Sequence, residues 1–190
     1  LGERLDAEEV RLVVGEAIAR MVAAVEALGG TVKDLAGDGI LALFGAPVAH
    51  EDDAERAVLA ALRIAEEMTG YASEVAAGWG VDGFAVRVGV NTGSVVVGPV
   101  GGGSRVEYGA TGDPINTAAR LQKAAENGTV LVGEPTYQLV ETLFDWDGPR
   151  ELELKGKQEP VTAYRATGVR AVPGRARGVL GLETPFVGRE

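Results

Sequence analysis

The sequence has no cysteine and a single histidine among its 190 residues. Without cysteine the chain has no disulfide, no thiolate metal ligand and no cysteine nucleophile. Such a composition suits a reducing compartment, and we expect a cytoplasmic protein. The lone His50 has no partner for a zinc site or a catalytic triad, so we interpret it as a solvated residue before a helix. Histidine-based hydrolase chemistry is therefore excluded.

Positive charge is also scarce, since 18 basic residues face 28 acidic ones for a net charge of −10. Nucleic acids and anionic membranes bind mainly through positive surfaces, so neither is an expected partner. No apolar run approaches the roughly 20 residues that span a bilayer, and no signal-peptide pattern is found. An anionic ligand would need a local cation or a metal ion to hold it.

Apolar residues recur at helical spacing between Asp6 and Leu28, and two strands follow at 31–35 and 39–44 around a Gly-Asp-Gly turn. A charged helix then leads to a predicted hairpin around Asn91-Thr92-Gly93. Asp113-Pro114 opens a third helix, and a strand, a short helix and two strands complete the pattern.

This order predicts an α+β fold. If a strand preceded Leu1, its core would be a ferredoxin-like βαββαβ unit with additional C-terminal strands. Because the chain begins with Leu rather than Met, we expect a fragment that lacks this first strand. We assign residues 1–167 to one domain. Residues 168–190 are rich in Gly, Pro and Arg without periodicity, which predicts a linker.

Asp38 lies in the turn between the first two strands, and two interpretations of it stay open. Asp-Gly is a favoured hairpin loop, so Asp38 could be an ordinary turn residue. A carboxylate beside glycines at a strand end could also bind a hard cation and let phosphates approach closely. Mg²⁺ usually takes one or two protein carboxylates, so Asp38 would be half of such a site.

Asn116 and Arg120 lie four residues apart on the third helix and so share one face. One interpretation is an Asn that bonds within its own turn and a solvated Arg. The other is an amide and a guanidinium directed at a phosphorylated ligand, since a planar cation suits charge spread over phosphate oxygens. The residues alone leave both possible.

Four segments in order resemble the class III nucleotide cyclase catalytic domain, from about residue 5 to residue 167. They read GGTVKDLAGDGILALFGAPVAHEDDAERAVLAAL, RVGVNTGSVVVGPVG, TGDPINTAARLQ and LELKGKQEPVTAYR. The likeness is greatest to the bacterial soluble type, in which the cyclase domain precedes an ATPase-like regulatory module. The ending TPFVGRE resembles the start of that module.

The resemblance implies a homodimer that cyclises ATP or GTP with loss of pyrophosphate, using two Mg²⁺ or Mn²⁺ ions at the subunit interface. Asp38 would be the second metal aspartate, and the first would lie on the missing strand. Asn116 would orient the ribose and Arg120 would stabilise the transition-state phosphate. Lys155 or Lys157 resembles a lysine near the phosphates in some members.

The base-binding positions depart from the family. Adenylate-forming members have Lys four residues before the turn aspartate, where this chain has Asp34, with Lys33 one residue early. Alternation along a strand sends Lys33 to the opposite face unless a bulge intervenes. The partner position is Gly109 instead of Asp or Thr. A carboxylate at 34 could accept from the N1–H and amino group of guanine, so GTP selectivity and loss of selectivity are both open.

We therefore predict a purine nucleotide cyclase. The alternative is a catalytically degenerate cyclase-homology domain that binds nucleotide or dimerises as a regulatory module. The fragment alone would be poorly active, because it lacks the first metal aspartate.

Overall fold

The computed structural model describes residues 5–100, 107–153 and 160–170. Helices and strands are interleaved along this part of the chain, and the predicted α+β class is confirmed. Among the described helices, none is both long and apolar enough to cross a membrane. In chain order the elements are α1 (Ala7–Glu26), β1 (Thr31–Ala36), β2 (Gly39–Leu43), α2 (Asp53–Trp79), β3 (Val88–Val90), β4 (Val96–Val100), β5 (Glu107–Thr111), α3 (Asp113–Ala124), β6 (Val130–Gly133), α4 (Glu134–Val140), β7 (Phe144–Leu152) and β8 (Val161–Val169).

The first helix begins with a capping box. The Asp6 carboxylate accepts from the backbone N–H groups of Glu8 and Glu9, and the Glu9 carboxylate accepts from the Asp6 N–H. These bonds satisfy N–H groups that the first turn of a helix leaves unpaired. The apolar face of α1 packs on α2, where the Tyr71 hydroxyl donates to the Val13 carbonyl at 2.9 Å.

Helix α2 continues through Gly70 and Gly78 as far as Trp79. Tyr71 and Val75 continue the buried face that contacts α1. Their burial offsets the helical cost of two glycines, each about 1 kcal/mol relative to Ala.

A four-stranded sheet with the order β3-β6-β8-β7 forms the second half of the molecule. Strand β6 pairs parallel with β3 and antiparallel with β8. Its side chains are buried on both faces, with Val130 and Val132 toward the core shared with α2 and Leu131 toward Leu121 of α3. The sheet is therefore covered by helices on both sides.

Two further strand pairs form separate sheets, β1 with β2 and β4 with β5. The hairpin predicted around Asn91-Thr92-Gly93 is therefore wrong, because β3 and β4 belong to different sheets. Strand β3 pairs with β6, and β4 pairs with β5. A local turn signal could not reveal the partner of β3, since β6 follows about 40 residues later in the chain. Strand β8 runs to Val169, and residues 171–190 lie outside the described part.

Candidate functional site

Asp38 lies at the tip of the β1–β2 hairpin, and its side chain is exposed. Ala36 pairs with Gly39, so the two-residue loop is Gly37–Asp38 rather than the Asp-Gly pair that the sequence suggested. Gly37 has φ 65°, whereas no non-glycine residue among the described ones has positive φ, which fits Gly at the first central position of the turn. The turn thus requires the positive φ of Gly37 but does not use the Asp38 carboxylate in a hydrogen bond.

Asp38 also lines a cleft of about 190 Å³ between the hairpin, α1 and the segment at 81–86. Apart from Asp38 and Asp82, the lining is apolar or glycine: Val14, Ala17, Met21, Val81, Gly83, Phe84, Ala85 and Val86. Within the described residues Asp38 has no hydrogen-bond or ion-pair partner. Its carboxylate therefore remains available to an external cation.

The described residues contain no group of three or more His, Asp or Glu side chains placed to hold a metal ion. One free carboxylate nevertheless fits a Mg²⁺ ion that takes its other ligands from substrate phosphates, water and a second carboxylate. Asp38 is thus compatible with the predicted metal role, and a second protein ligand remains to be supplied.

A β-bulge lies between Val32 and Asp34. Val32 pairs with Ala42 on the core face of the hairpin, whereas Asp34 pairs with Leu41 on the opposite face. Counted from Val32, Lys33 also falls on the face of Asp34. Lys33 lies one residue before the position where the family has lysine, and in a regular strand this offset would put it on the opposite face. The bulge removes that difference.

Asn116 and Arg120 lie one turn apart on α3, next to the buried residues Thr117 and Leu121. The Asn116 side chain is exposed and that of Arg120 is half-buried. Neither side chain makes a hydrogen bond or ion pair within the described part of the chain. An unpaired guanidinium beside an amide on one helical face is an arrangement that can receive an anionic oxygen.

Helix α3 is seated unusually close to the sheet. A Cβ at Gly89 would collide with the Ala118 carbonyl oxygen and the Gln122 backbone nitrogen, and one at Gly93 would lie 2.5 Å from Cγ of Pro114. The sequence did not predict these contacts, because Gly93 was assigned to the loop of a hairpin. Glycine in a strand often marks such an approach, and that signal was present.

The remaining predicted site residues are Gly109, Lys155 and Lys157. Gly109 is in β5 opposite Gly98, while Lys155 and Lys157 lie outside the described residues. The hairpin that carries Asp38 packs on α1, whereas α3 packs on β3 and β6. Within the described part no hydrogen bond or ion pair joins Asp38 to Asn116 or Arg120. The predicted site residues therefore lie on two elements, the β1–β2 hairpin and α3, that pack against different neighbours.

Comparison with known proteins gives concordant results. Residues 1–166 match the family described as the adenylate and guanylate cyclase catalytic domain. Adenylate cyclase 1 of Rhizobium meliloti is 32% identical over 175 residues, which cover 90% of this chain and 26% of that protein. The chain thus spans about a quarter of the length of the curated relatives it matches.

Two solved structures share the fold. The guanylyl cyclase Cya2 superposes with a TM-score of 0.83 and 32% identity, covering 91% of this chain and 87% of that one. The adenylyl cyclase CyaB from P. aeruginosa gives a TM-score of 0.84 and 28% identity, with 88% and 87% covered. By their names, the first of these proteins is a guanylyl cyclase and the second is an adenylyl cyclase.

Proposed function

Because the chain belongs to the adenylate and guanylate cyclase catalytic domain family, we propose that it is the catalytic domain of a purine nucleotide cyclase. The substrate is ATP or GTP, whose 3′-hydroxyl oxygen bonds to the α-phosphorus. The bond between the α- and β-phosphates breaks, pyrophosphate leaves and the hydroxyl proton is lost to solvent. The main support is that Asp38, Asn116 and Arg120 all have unengaged side chains within the described part of this fold.

The three residues have distinct roles in this proposal. Asp38 holds a divalent cation at the hairpin tip, where Gly37 and Gly39 leave room for phosphates. Asn116 orients the ribose through its amide. Arg120 donates to the α-phosphate oxygens as negative charge builds up on them, which a planar guanidinium does well. Lys155 and Lys157 remain proposed phosphate contacts.

Two Mg²⁺ or Mn²⁺ ions, when bound, supply neutralisation of phosphate charge and a lower pKa for the attacking hydroxyl. Asp38 provides one carboxylate for them. The second, we propose, comes from a strand that precedes residue 1 in the full-length protein. The cleft beside Asp38 and the division between the β1–β2 sheet and the four-stranded sheet offer a place for it.

A second copy of the chain completes the site in this proposal. Asp38 and the α3 pair lie on elements that are not bonded to each other within the described residues, so each half can face the complementary half of a partner subunit. The domain works in the cytoplasm, where both nucleotides are abundant.

The bulge bears on the choice of base. We place Lys33 and Asp34 on one face of β1, and so propose that both read the purine edge. Asp34 can accept from the N1–H and amino group of guanine, whereas Lys33 can donate to the bare N1 of adenine. Gly109 has no side chain to contribute. The named relatives include both specificities, so similarity does not choose between them.

The test is pyrophosphate release by the full-length protein with Mn²⁺, given ATP or GTP in parallel. We expect Asp38→Ala and Arg120→Ala each to lower kcat by about a hundredfold or more, the scale of losing one transition-state charge contact. Lys33→Ala should lower ATP turnover preferentially, and Asp34→Ala should lower GTP turnover preferentially. Circular dichroism of each variant controls for folding.

Two results would count against these assignments. If neither Lys33→Ala nor Asp34→Ala changes the ratio of ATP to GTP turnover, the pair does not read the base. If the unmodified full-length protein releases no pyrophosphate at high concentration with either nucleotide, the alternative of a regulatory cyclase-homology module is favoured. Nucleotide binding without turnover would then identify it as a binding module.

A further inference from the structure

The segment 89–93, Gly-Val-Asn-Thr-Gly, packs against α3. Strand β3 ends at Val90 within this segment, and the contacts of its first, third and fifth residues place all three on the side of α3. All three meet α3: Gly89 at Ala118 and Gln122, and both Asn91 and Gly93 at Pro114. Asn91 is therefore the single side chain in a strip that is otherwise glycine.

Asn91 is held between two elements. Its side-chain Nδ2 donates to the carbonyl oxygen of Pro114 at 3.4 Å, in the first turn of α3. Its Oδ1 lies against Gly133 at the end of β6, where a Cβ would collide with it. The amide thus spans from the sheet to the helix start, and the missing side chain at 133 is what gives it room.

The alternate residues of the segment face the other way. Val90 packs in the core shared with α2, and the Thr92 hydroxyl hydrogen-bonds to the hydroxyl of Thr136 in α4 at 2.8 Å. Thr136 is fully buried. Neighbouring side chains of one segment therefore bond to different helices, Asn91 to α3 and Thr92 to α4. This arrangement supplies a matched control within the segment.

We propose that Asn91 is a positioning residue for the cyclase reaction. It fixes the first turn of α3 and thereby the positions of Asn116 and Arg120. At about 1.5 Å per residue, these two residues follow Pro114 along the helix by roughly 3 Å and 9 Å. The inference rests on the proposed function. A displacement of about 1 Å in a positioned group can cost about a hundredfold in rate, so a small shift of α3 is enough to matter.

The test compares three variants of the full-length protein. Asn91→Ala removes the amide, and Asn91→Asp keeps its shape but loses the donor to Pro114. Thr92→Val removes the bond to α4 and leaves the α3 contacts in place. Each is assayed for kcat and KM with Mn²⁺ and nucleotide at a temperature where it is fully folded, and amide hydrogen exchange is followed in α3 and α4.

We expect both Asn91 variants to lower kcat about tenfold or more with KM within twofold, since orientation of groups that act in the transition state appears in kcat. Exchange should accelerate about tenfold in the first two turns of α3. Thr92→Val should keep kcat within twofold and accelerate exchange in α4 instead.

Two results would overturn the inference. The first is that both Asn91 variants keep kcat, and the rate of amide hydrogen exchange in α3, within twofold of the unmodified protein. The other is an equal loss of kcat in Thr92→Val, which would indicate general loosening. If Asn91→Ala does not fold, the isosteric Asn91→Asp decides. If the unmodified protein makes no cyclic nucleotide, the proposed function fails, while the exchange comparison still reports whether Asn91 fixes α3.

Discussion

Individual glycines decide how closely α3 approaches the four-stranded sheet. At Gly89 the obstacle to a side chain would be backbone, the Ala118 carbonyl and the Gln122 nitrogen, which cannot rotate away as a side chain can. At Gly133 the obstacle would be the Asn91 side chain. The first site therefore constrains the position of the whole helix, and the second constrains one amide.

We predict that Gly89→Ala lowers the free energy of unfolding by about 1–3 kcal/mol, the usual range for overpacking a tight contact. Gly168→Ala in β8 is the matched control, because a Cβ there meets no atom within 4 Å. It should be neutral or slightly stabilising. Urea unfolding of both variants measures the difference, and equal stabilities would refute the close seating of α3.

Asp38 shows what local sequence can and cannot reveal about a residue. The hairpin follows from the two flanking strands and the glycines and is confirmed, although its two-residue loop is Gly37–Asp38 rather than Asp38–Gly39. Whether the Asp38 carboxylate forms a hydrogen bond within the turn depends on the groups that surround it. Because Gly37 satisfies the turn's backbone conformation and no described group bonds to Asp38, the carboxylate is free for another ligand.

Among the elements, the α1–α2 pair has a polar connection at its surface. The Arg20 guanidinium donates two 2.8 Å bonds to the Glu74 carboxylate and lies 4.4 Å from the centre of the Tyr71 ring. A further 2.8 Å bond joins Arg20 to Glu16 within α1. The hydrogen bonds from Arg20 lower the pKa of Glu74, and burial raises the pKa of Tyr71.

This connection predicts an acid dependence. Since the folded pKa of Glu74 lies below the ordinary value of 4.5, its stabilisation is complete above about pH 4.5 and is lost as the pH falls through the folded pKa. Glu74→Gln should therefore be less stable than the unmodified chain at pH 7, and the gap should narrow by pH 3. The effect will be small, because exposed ion pairs are screened by solvent.

Thermal unfolding at both pH values measures this gap. Glu66→Gln is the control on the same helix, since Glu66 has no ion pair within the described residues. A Glu74→Gln gap that stays constant between pH 7 and pH 3 would argue against the pairing with Arg20.

Strand partners were harder to foresee than the strands themselves. The strands predicted at 31–35 and 39–44 have the predicted partner, because a short loop joins them, and their observed bounds are Thr31–Ala36 and Gly39–Leu43. The runs that became β3 and β4 looked like a second hairpin for the same reason, and that prediction failed. Strand β3 pairs with β6, about 40 residues later in the chain, a contact that local spacing cannot encode.

At the scale of the whole molecule, the described strands form three sheets, and the predicted site residues lie on separate elements, which raises the question of assembly. In our proposal each active site combines the hairpin of one subunit with α3 of another. Such a site exists only in the dimer, so occupancy depends on protein concentration by mass action.

We therefore predict that specific activity of the full-length protein falls when it is diluted through the dimer dissociation constant. Analytical ultracentrifugation over the same concentrations should show a matching shift in mass. Mixing Asp38→Ala with Arg120→Ala should restore part of the activity, since one of the two active sites in the mixed dimer keeps both groups. Constant activity per molecule in a monomeric protein would contradict a shared site.

The sequence by itself determined the α+β class, most helices, the Asp38 hairpin and the family, since periodicity, capping residues and ordered motifs are local properties of the chain. Only the tertiary structure decided the partners of β3 and β4, the face of Lys33 and the contacts of the segment at 89–93. Each depends on long-range contacts. The bulge arises from the pairing of β1 with β2, and Asn91 acquires its place from Pro114 and Gly133, which lie far from it in sequence.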